Sequence, residues 1–174
     1  MATLMKKTDY NKVFVTSNHH FGSHLLIPQL RIYTKKQEDE LIDKWNSVVG
    51  KNDMVIYNGS FGDYGGISYT KKYIDRLNGN ITYINDYSGV YEWYRCAKIF
   101  NSVVDEFYLS DLDILISHDI HIDTSINIFG CSINKSHYSK YKNDHNLFCS
   151  RVELNDGYPV SLKQIMDKFK VSNI

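Results

Sequence analysis

The sequence predicts a single α/β domain, either a mixed sheet or a two-sheet β-sandwich, flanked by helices. Three observations carry this. Apolar runs such as Val13-Phe14-Val15 and Ile114-Leu115-Ile116 are contiguous rather than alternating, as in central strands covered on both faces. Segments with apolar residues at helical spacing stand between the early runs. From Asp105 onward the chain is rich in short strands and closes with one more helix. At 174 residues, 43% hydrophobic and 23% charged, the chain suits one domain, residues 1–174, with a proper core.

In chain order, Lys12 to Ser17 reads as a buried strand. Glu38 to Val49 reads as a helix, because Leu41, Ile42, Trp45 and Val48 or Val49 recur on one face, and Gly50 and Asn52 end it. Asp53 to Tyr57 is a second strand. Ser68 to Leu77 is a second helix, closed by the turn residues Asn78-Gly79-Asn80. Ile81 to Ile84 is a third strand, and Tyr91 to Phe100 reads as helical. Strands follow at Asp105 to Tyr108, Asp113 to Ser117, Ile126 to Phe129 and Phe148 to Leu154, then a helix from Ser161 to Phe169 with Ser161 as its cap.

Composition excludes several classes of function. Lys+Arg and Asp+Glu number 20 each, so the chain has neither the basic excess of a general polyanion binder nor the acidity of a DNA mimic. It has no apolar run of transmembrane length, and residues 1–11 lack the apolar core of a signal peptide. The expected location is the cytoplasm, with no membrane partner. The three cysteines, Cys96, Cys131 and Cys149, show no C-x-x-C pairing and read as small buried hydrophobes. Fourteen tyrosines against two prolines, with abundant Asn, Lys and Ile, suit an AT-rich genome, such as that of a phage or a low-GC bacterium.

Five segments fall at strand ends, where α/β folds place their sites. They are Thr16-Ser17-Asn18-His19-His20-Phe21-Gly22, Asn58-Gly59-Ser60-Phe61, Ile84-Asn85-Asp86-Tyr87-Ser88, Ile116-Ser117-His118 and Phe129-Gly130-Cys131-Ser132-Ile133. In order and spacing they resemble the calcineurin-like metallophosphoesterases, whose motifs run S-D-x-H-F-G, G-D-F, G-N-H-D, S-H and G-H-x-H. Weaker likenesses at residues 38–46, 53–59, 77–80 and 154–162 extend the resemblance over nearly the whole chain. It implies a two-sheet β-sandwich flanked by helices. It also implies a site that has lost most of its ligands. Asn18 stands where the family has the first Asp, Ser60 where it has the bridging Asp, Asp86 in place of the Asn, Tyr87 in place of the leaving-group His, and Cys131 and Ile133 in place of two histidines. His20 and His118 are retained.

Two metal ions about 3.5–4 Å apart, the family's catalytic device, need a shared anionic ligand. A serine hydroxyl at position 60 cannot balance two dications, and Asn18 is also uncharged. The resemblance therefore implies a pseudoenzyme with no catalytic residues and no resident cofactor. If one Zn or Mn ion is held at low occupancy, His20, His118 and Asp86, with Cys131, are the expected ligands, and the alternative reading is then a residual single-metal phosphoesterase or phosphodiesterase. The expected role is binding and inhibiting a host protein, such as a defence or replication component. A nucleotide or nucleic acid is the alternative ligand, held by Asn18, Ser60, His20 and His118.

Two tyrosine groups suggest contact surfaces, since Tyr and Trp concentrate at interface hot spots. One comprises Tyr57, Tyr64, Tyr69, Tyr73, Tyr83, Tyr87, Tyr91 and Tyr94, near Trp93. The other is Tyr138 and Tyr141 among Lys135, Lys140 and Lys142. Core filling accounts for the first group equally well. His19 and His24 flank the first motif, and His121 makes an H-x-x-H spacing with His118 that is more often two polar loop residues than a metal pair. His137 and His145 lie in a polar stretch that reads as an exposed loop, and Asp63 is offset from the bridging position.

Overall fold

The computed structural model describes residues 9–26, 28–29, 32–62, 66–86, 98–130 and 146–170. Two mixed sheets and three α-helices make up its described elements. In the first sheet, β1 (Val13–Thr16), β2 (Met54–Tyr57), β3 (Asn80–Ile84) and β4 (Ser102–Val104) run parallel in the order β4-β3-β2-β1. A two-residue strand, β9 (Val160–Ser161), pairs antiparallel with β1. The second sheet has the order β5-β6-β7-β8, from β5 (Phe107–Leu109), β6 (Ile114–Ser117), β7 (Ile126–Phe129) and β8 (Leu147–Cys149). Its last three strands are parallel and β5 is antiparallel.

The contiguous apolar runs have the predicted consequence. Val13, Val15, Ile56 and Ile84 point from the first sheet into one core with Phe107, Leu109, Ile114, Ile116, Ile126, Ile128 and Phe148 of the second. The intervening residues Phe14, Val55, Tyr57, Ile81 and Tyr83 point the other way, into a second core. That core is covered by α1 (Lys35–Val48), through Leu41, Ile42 and Trp45, and by α2 (Ile67–Ile74), through Tyr73. Strands sandwiched in this way must be apolar on both faces, so alternation is lost. The third helix, α3 (Leu162–Lys168), closes the inter-sheet core with Leu162, Ile165 and Met166.

Several boundaries differ from the sequence reading for identifiable reasons. Helix α1 begins at Lys35, a turn before the apolar face starts, because Thr34 and Gln37 form a reciprocal capping box. A second capping box, Ser161 with Gln164, starts α3 at the predicted cap. The expected strand from Phe148 to Leu154 is cut after Cys149 and continues as a 3-10 turn at Val152–Leu154. The expected helix from Tyr91 to Phe100 lies outside the described residues except at its end, where Lys98 takes a left-handed φ of 50° and no helix is present. Strands β4 and β9 are additions. They are short, and β4 is half-exposed, so neither leaves an apolar run to read.

Three members of the first tyrosine group are core, and Tyr69 is half-buried against it. Tyr57 and Tyr83 are fully buried, with ring centroids 6.0 Å apart, and Tyr73 stacks on Phe21 at 4.9 Å. This corrects the surface reading for those three. Tyr64, Tyr87, Tyr91, Tyr94, Trp93 and the whole second group lie outside the described residues. Cys149 is buried as expected, and burial pushes its thiol pKa up. Cys96 and Cys131 are outside the described residues.

Candidate functional site

The described residues of the five segments meet at the carboxyl ends of β1, β2, β3, β6 and β7. Parallel pairing of β1, β2 and β3 sends all three chains out on the same side, and backbone bonds then tie their exits together. Asn18 N donates to Gly59 O (3.2 Å), His20 N to Ser60 O (3.3 Å) and Phe21 N to Phe61 O (2.8 Å). Asp86 joins them by accepting the Ser60 N–H on Oδ2 at 2.7 Å.

Asn58 fastens the second sheet to this cluster. Its Nδ2 donates to Ser117 O (2.7 Å) and Ile128 O (3.2 Å), at the ends of β6 and β7. Gly130 N donates to His118 O at 3.1 Å. The approach is so close that a Cβ on Gly130 would lie 2.0 Å from the Asn58 carbonyl oxygen, and a Cβ on Gly59 would lie 2.6 Å from His118 Nδ1 and 2.7 Å from Asp86 Cβ. Gly130→Ala is therefore expected to destabilise the fold by about 3 kcal/mol, because a backbone oxygen cannot move aside as a side chain can. Urea denaturation checks this. An unchanged midpoint would mean that the sheets do not meet here.

The local backbone is unusual. Asn18, His20 and Ser60 all adopt left-handed φ values, of 62°, 48° and 57°, although none is glycine. Such conformations persist where surrounding bonds impose them, and they cluster at functional sites. Asn18 is fully buried, and neither its Oδ1 nor its Nδ2 has a hydrogen-bond partner. His20, Ser60, Asp86 and His118 are each half-buried.

The positions brought together are thus Asn18, His20, Ser60, Asp86 and His118, while Tyr87, Ser88, Cys131, Ile133 and Asp63 lie outside the described residues. The register at the third segment is defined: Asp86 faces Ser60, whereas Asn85 turns away to donate to Asp105 Oδ1 at 3.1 Å. These donors do not fit a dinuclear metal centre. Position 60 offers a neutral hydroxyl, position 18 a neutral carboxamide, and Asp86 is the one carboxylate, already engaged by an N–H group. Among the described residues, no group of three or more His, Cys, Asp or Glu side chains is placed to hold a metal ion.

His19 and His24, which flank the first motif in the sequence, are both structural features of this end of the fold. His19 is fully buried among Phe21, Trp45 and Tyr57, with ring centroids 5.0, 5.3 and 5.5 Å away. Its Nδ1 is 3.0 Å from Tyr57 Oη. Burial, helped by the neighbouring His20, pushes its pKa down to about 3, so the ring is neutral. His24 bonds to the buried carboxylate of Glu38, 14 positions away in sequence. His121 lies 3.7 Å from Glu106 and its N–H donates to Asn127 Oδ1. His137 and His145 lie outside the described residues. Away from the five segments, a groove of about 390 Å³ runs between α1 and residues 152–157.

No protein-family model matches the chain, and no curated protein matches it in sequence. Among solved structures, it is similar to the protein of unknown function AQ665 from Aquifex aeolicus, with a TM-score of 0.67 and 16% identity over 90% of this chain and 98% of that one. At that identity the likeness concerns the fold. No helix among the described residues is long and apolar enough to cross a membrane.

Proposed function

We propose that this chain is a calcineurin-like phosphoesterase scaffold without two-metal chemistry, and that it works by binding another protein. The observation that carries this reading is at position 60. Two dications would need a shared carboxylate there, but Ser60 supplies a hydroxyl and its N–H is held by the Asp86 carboxylate at 2.7 Å. Convergence of the segments at the carboxyl ends of parallel strands supports the scaffold assignment, because that is where such folds build their sites. The loss concerns the charged groups, while the contacts that join the strand ends are intact. If the chain is phage-encoded, its partner is a host protein in the host cytoplasm.

Elemental analysis of the purified protein, with bis-p-nitrophenyl phosphate turnover in added Mn²⁺, tests the reading. Metal content near zero and no turnover is the expected result. One or two metals per chain, with turnover abolished by His20→Ala or His118→Ala, would overturn it and make the chain an enzyme with substituted ligands.

A further inference from the structure

Outside the five segments, the described residues contain a second polar cluster, built around a carboxylate that has no exposed surface. Glu38, in the first turn of α1, is completely buried. Every group around it offers a hydrogen. His24 N donates to Oε1 at 3.0 Å, Ser23 Oγ reaches Oε1 at 3.3 Å, His24 Nδ1 lies 2.8 Å from Oε2, and the Tyr73 hydroxyl donates to Oε2. Three of these donors are committed to the carboxylate, and the single hydrogen of Ser23 is shared with Tyr33 O, also at 3.3 Å.

This arrangement sets the tautomer of His24. With Nδ1–H given to Glu38, Nε2 is left as an acceptor, and it lies 3.2 Å from the hydroxyl of Tyr69. Tyr69 is half-buried on α2, so the series runs from the phenol of a half-buried residue, through an imidazole, to a buried carboxylate. That is the arrangement of nucleophile, base and orienting group found where a weak hydroxyl is activated. One neighbour favours reaction at Tyr69: the Lys72 ammonium lies 5.4 Å from its ring centroid, where it favours developing negative charge.

We propose that Tyr69 is a nucleophile toward activated acyl groups, with His24 as its general base and Glu38 as the positioning residue that holds His24. In the step, the phenolic oxygen attacks the acyl carbon and an O–C bond forms. The bond from that carbon to the leaving group breaks with its electron pair. The Tyr69 proton passes to His24 Nε2 and from there to the departing group. A charged group facing His24 from α1 is Glu38, with Lys35 nearby over the Tyr73 ring; from α2 the titratable groups are Tyr69, Tyr73 and Lys72.

The test is acetylation by N-acetylimidazole at neutral pH, read by peptide mass spectrometry, with hydroxylamine reversal marking O-acyl products. Tyr108, half-buried with its hydroxyl given to Asp113 at 2.8 Å, is the internal reference. The expected result is acetylation of Tyr69 about a hundred-fold faster than of Tyr108. In His24→Gln the two rates should become comparable, and in Glu38→Gln the pH profile of the ratio should move to lower pH. Equal rates in the unmodified protein would overturn the proposal without any variant. So would an unchanged ratio in a His24→Gln protein that still melts cooperatively.

Discussion

Restoring two carboxylates, through Asn18→Asp combined with Ser60→Asp, is expected to give the protein a new affinity for Mn²⁺. The two positions are already adjacent: Asn18 N bonds to Gly59 O, and Ser60 N bonds to the Asp86 carboxylate. Two new anions beside Asp86 would repel one another. Position 18 is also fully buried, and an unpaired charge there costs several kcal/mol. The metal-free double variant should therefore melt well below the unmodified protein. Saturating Mn²⁺ should recover that loss, since an ion that binds only the folded state at about a thousand times its Kd adds about 4 kcal/mol. The unmodified protein should not respond. Should Mn²⁺ leave the variant's melting temperature where it was, positions 18 and 60 do not face a common site and the scaffold assignment is lost.

The second large effect is acid sensitivity set by His19. In the unfolded chain its imidazole titrates near 6.5, but in the folded protein burial holds it down to about 3. Between those values the unfolded state binds the extra proton, so stability is complete above pH 6.5 and falls as the pH drops. The slope is about 1.4 kcal/mol per pH unit, which removes about 2 kcal/mol by pH 5. Carboxylates such as Asp39, held below their usual range by hydrogen bonds from Lys35 and Arg76, contribute only at lower pH. Urea midpoints measured from pH 7.5 to pH 5 should show the decline, and His19→Phe, whose ring suits the aromatic surroundings, should flatten it. An equal slope in both proteins would show that His19 is not the group responsible.

How legible these features were depended on how local their causes are. Strands β1, β2 and β6 could be read because burial leaves contiguous apolar runs, and β3 and β7 because one polar residue each, Thr82 and Asn127, interrupts an otherwise apolar segment. The start of α1 was also written locally, as Thr34-Lys35-Lys36-Gln37, but the apolar periodicity begins later and drew the boundary with it. The positions of the candidate site were readable because strand ends are local features. The partners of His24 were not: Glu38 is 14 positions away and Tyr69 is 45, and nothing near His24 marks either. His19 escaped for a similar reason. It follows a buried strand, and only the packing of Phe21, Trp45 and Tyr57 around it decides that it faces the core.

The Asn58 carboxamide, which reaches Ser117 and Ile128 at once, acts as a rivet between the two sheets. With Gly59 and Gly130 it does the joinery of the domain, through backbone proximity and two N–H bonds, and none of this depends on which side chains stand at 18 and 60. Mechanical continuity and chemical reactivity thus reside in different atoms of the same few residues. A scaffold divided in this way can exchange its charged groups for neutral ones while its strand ends remain clamped in register.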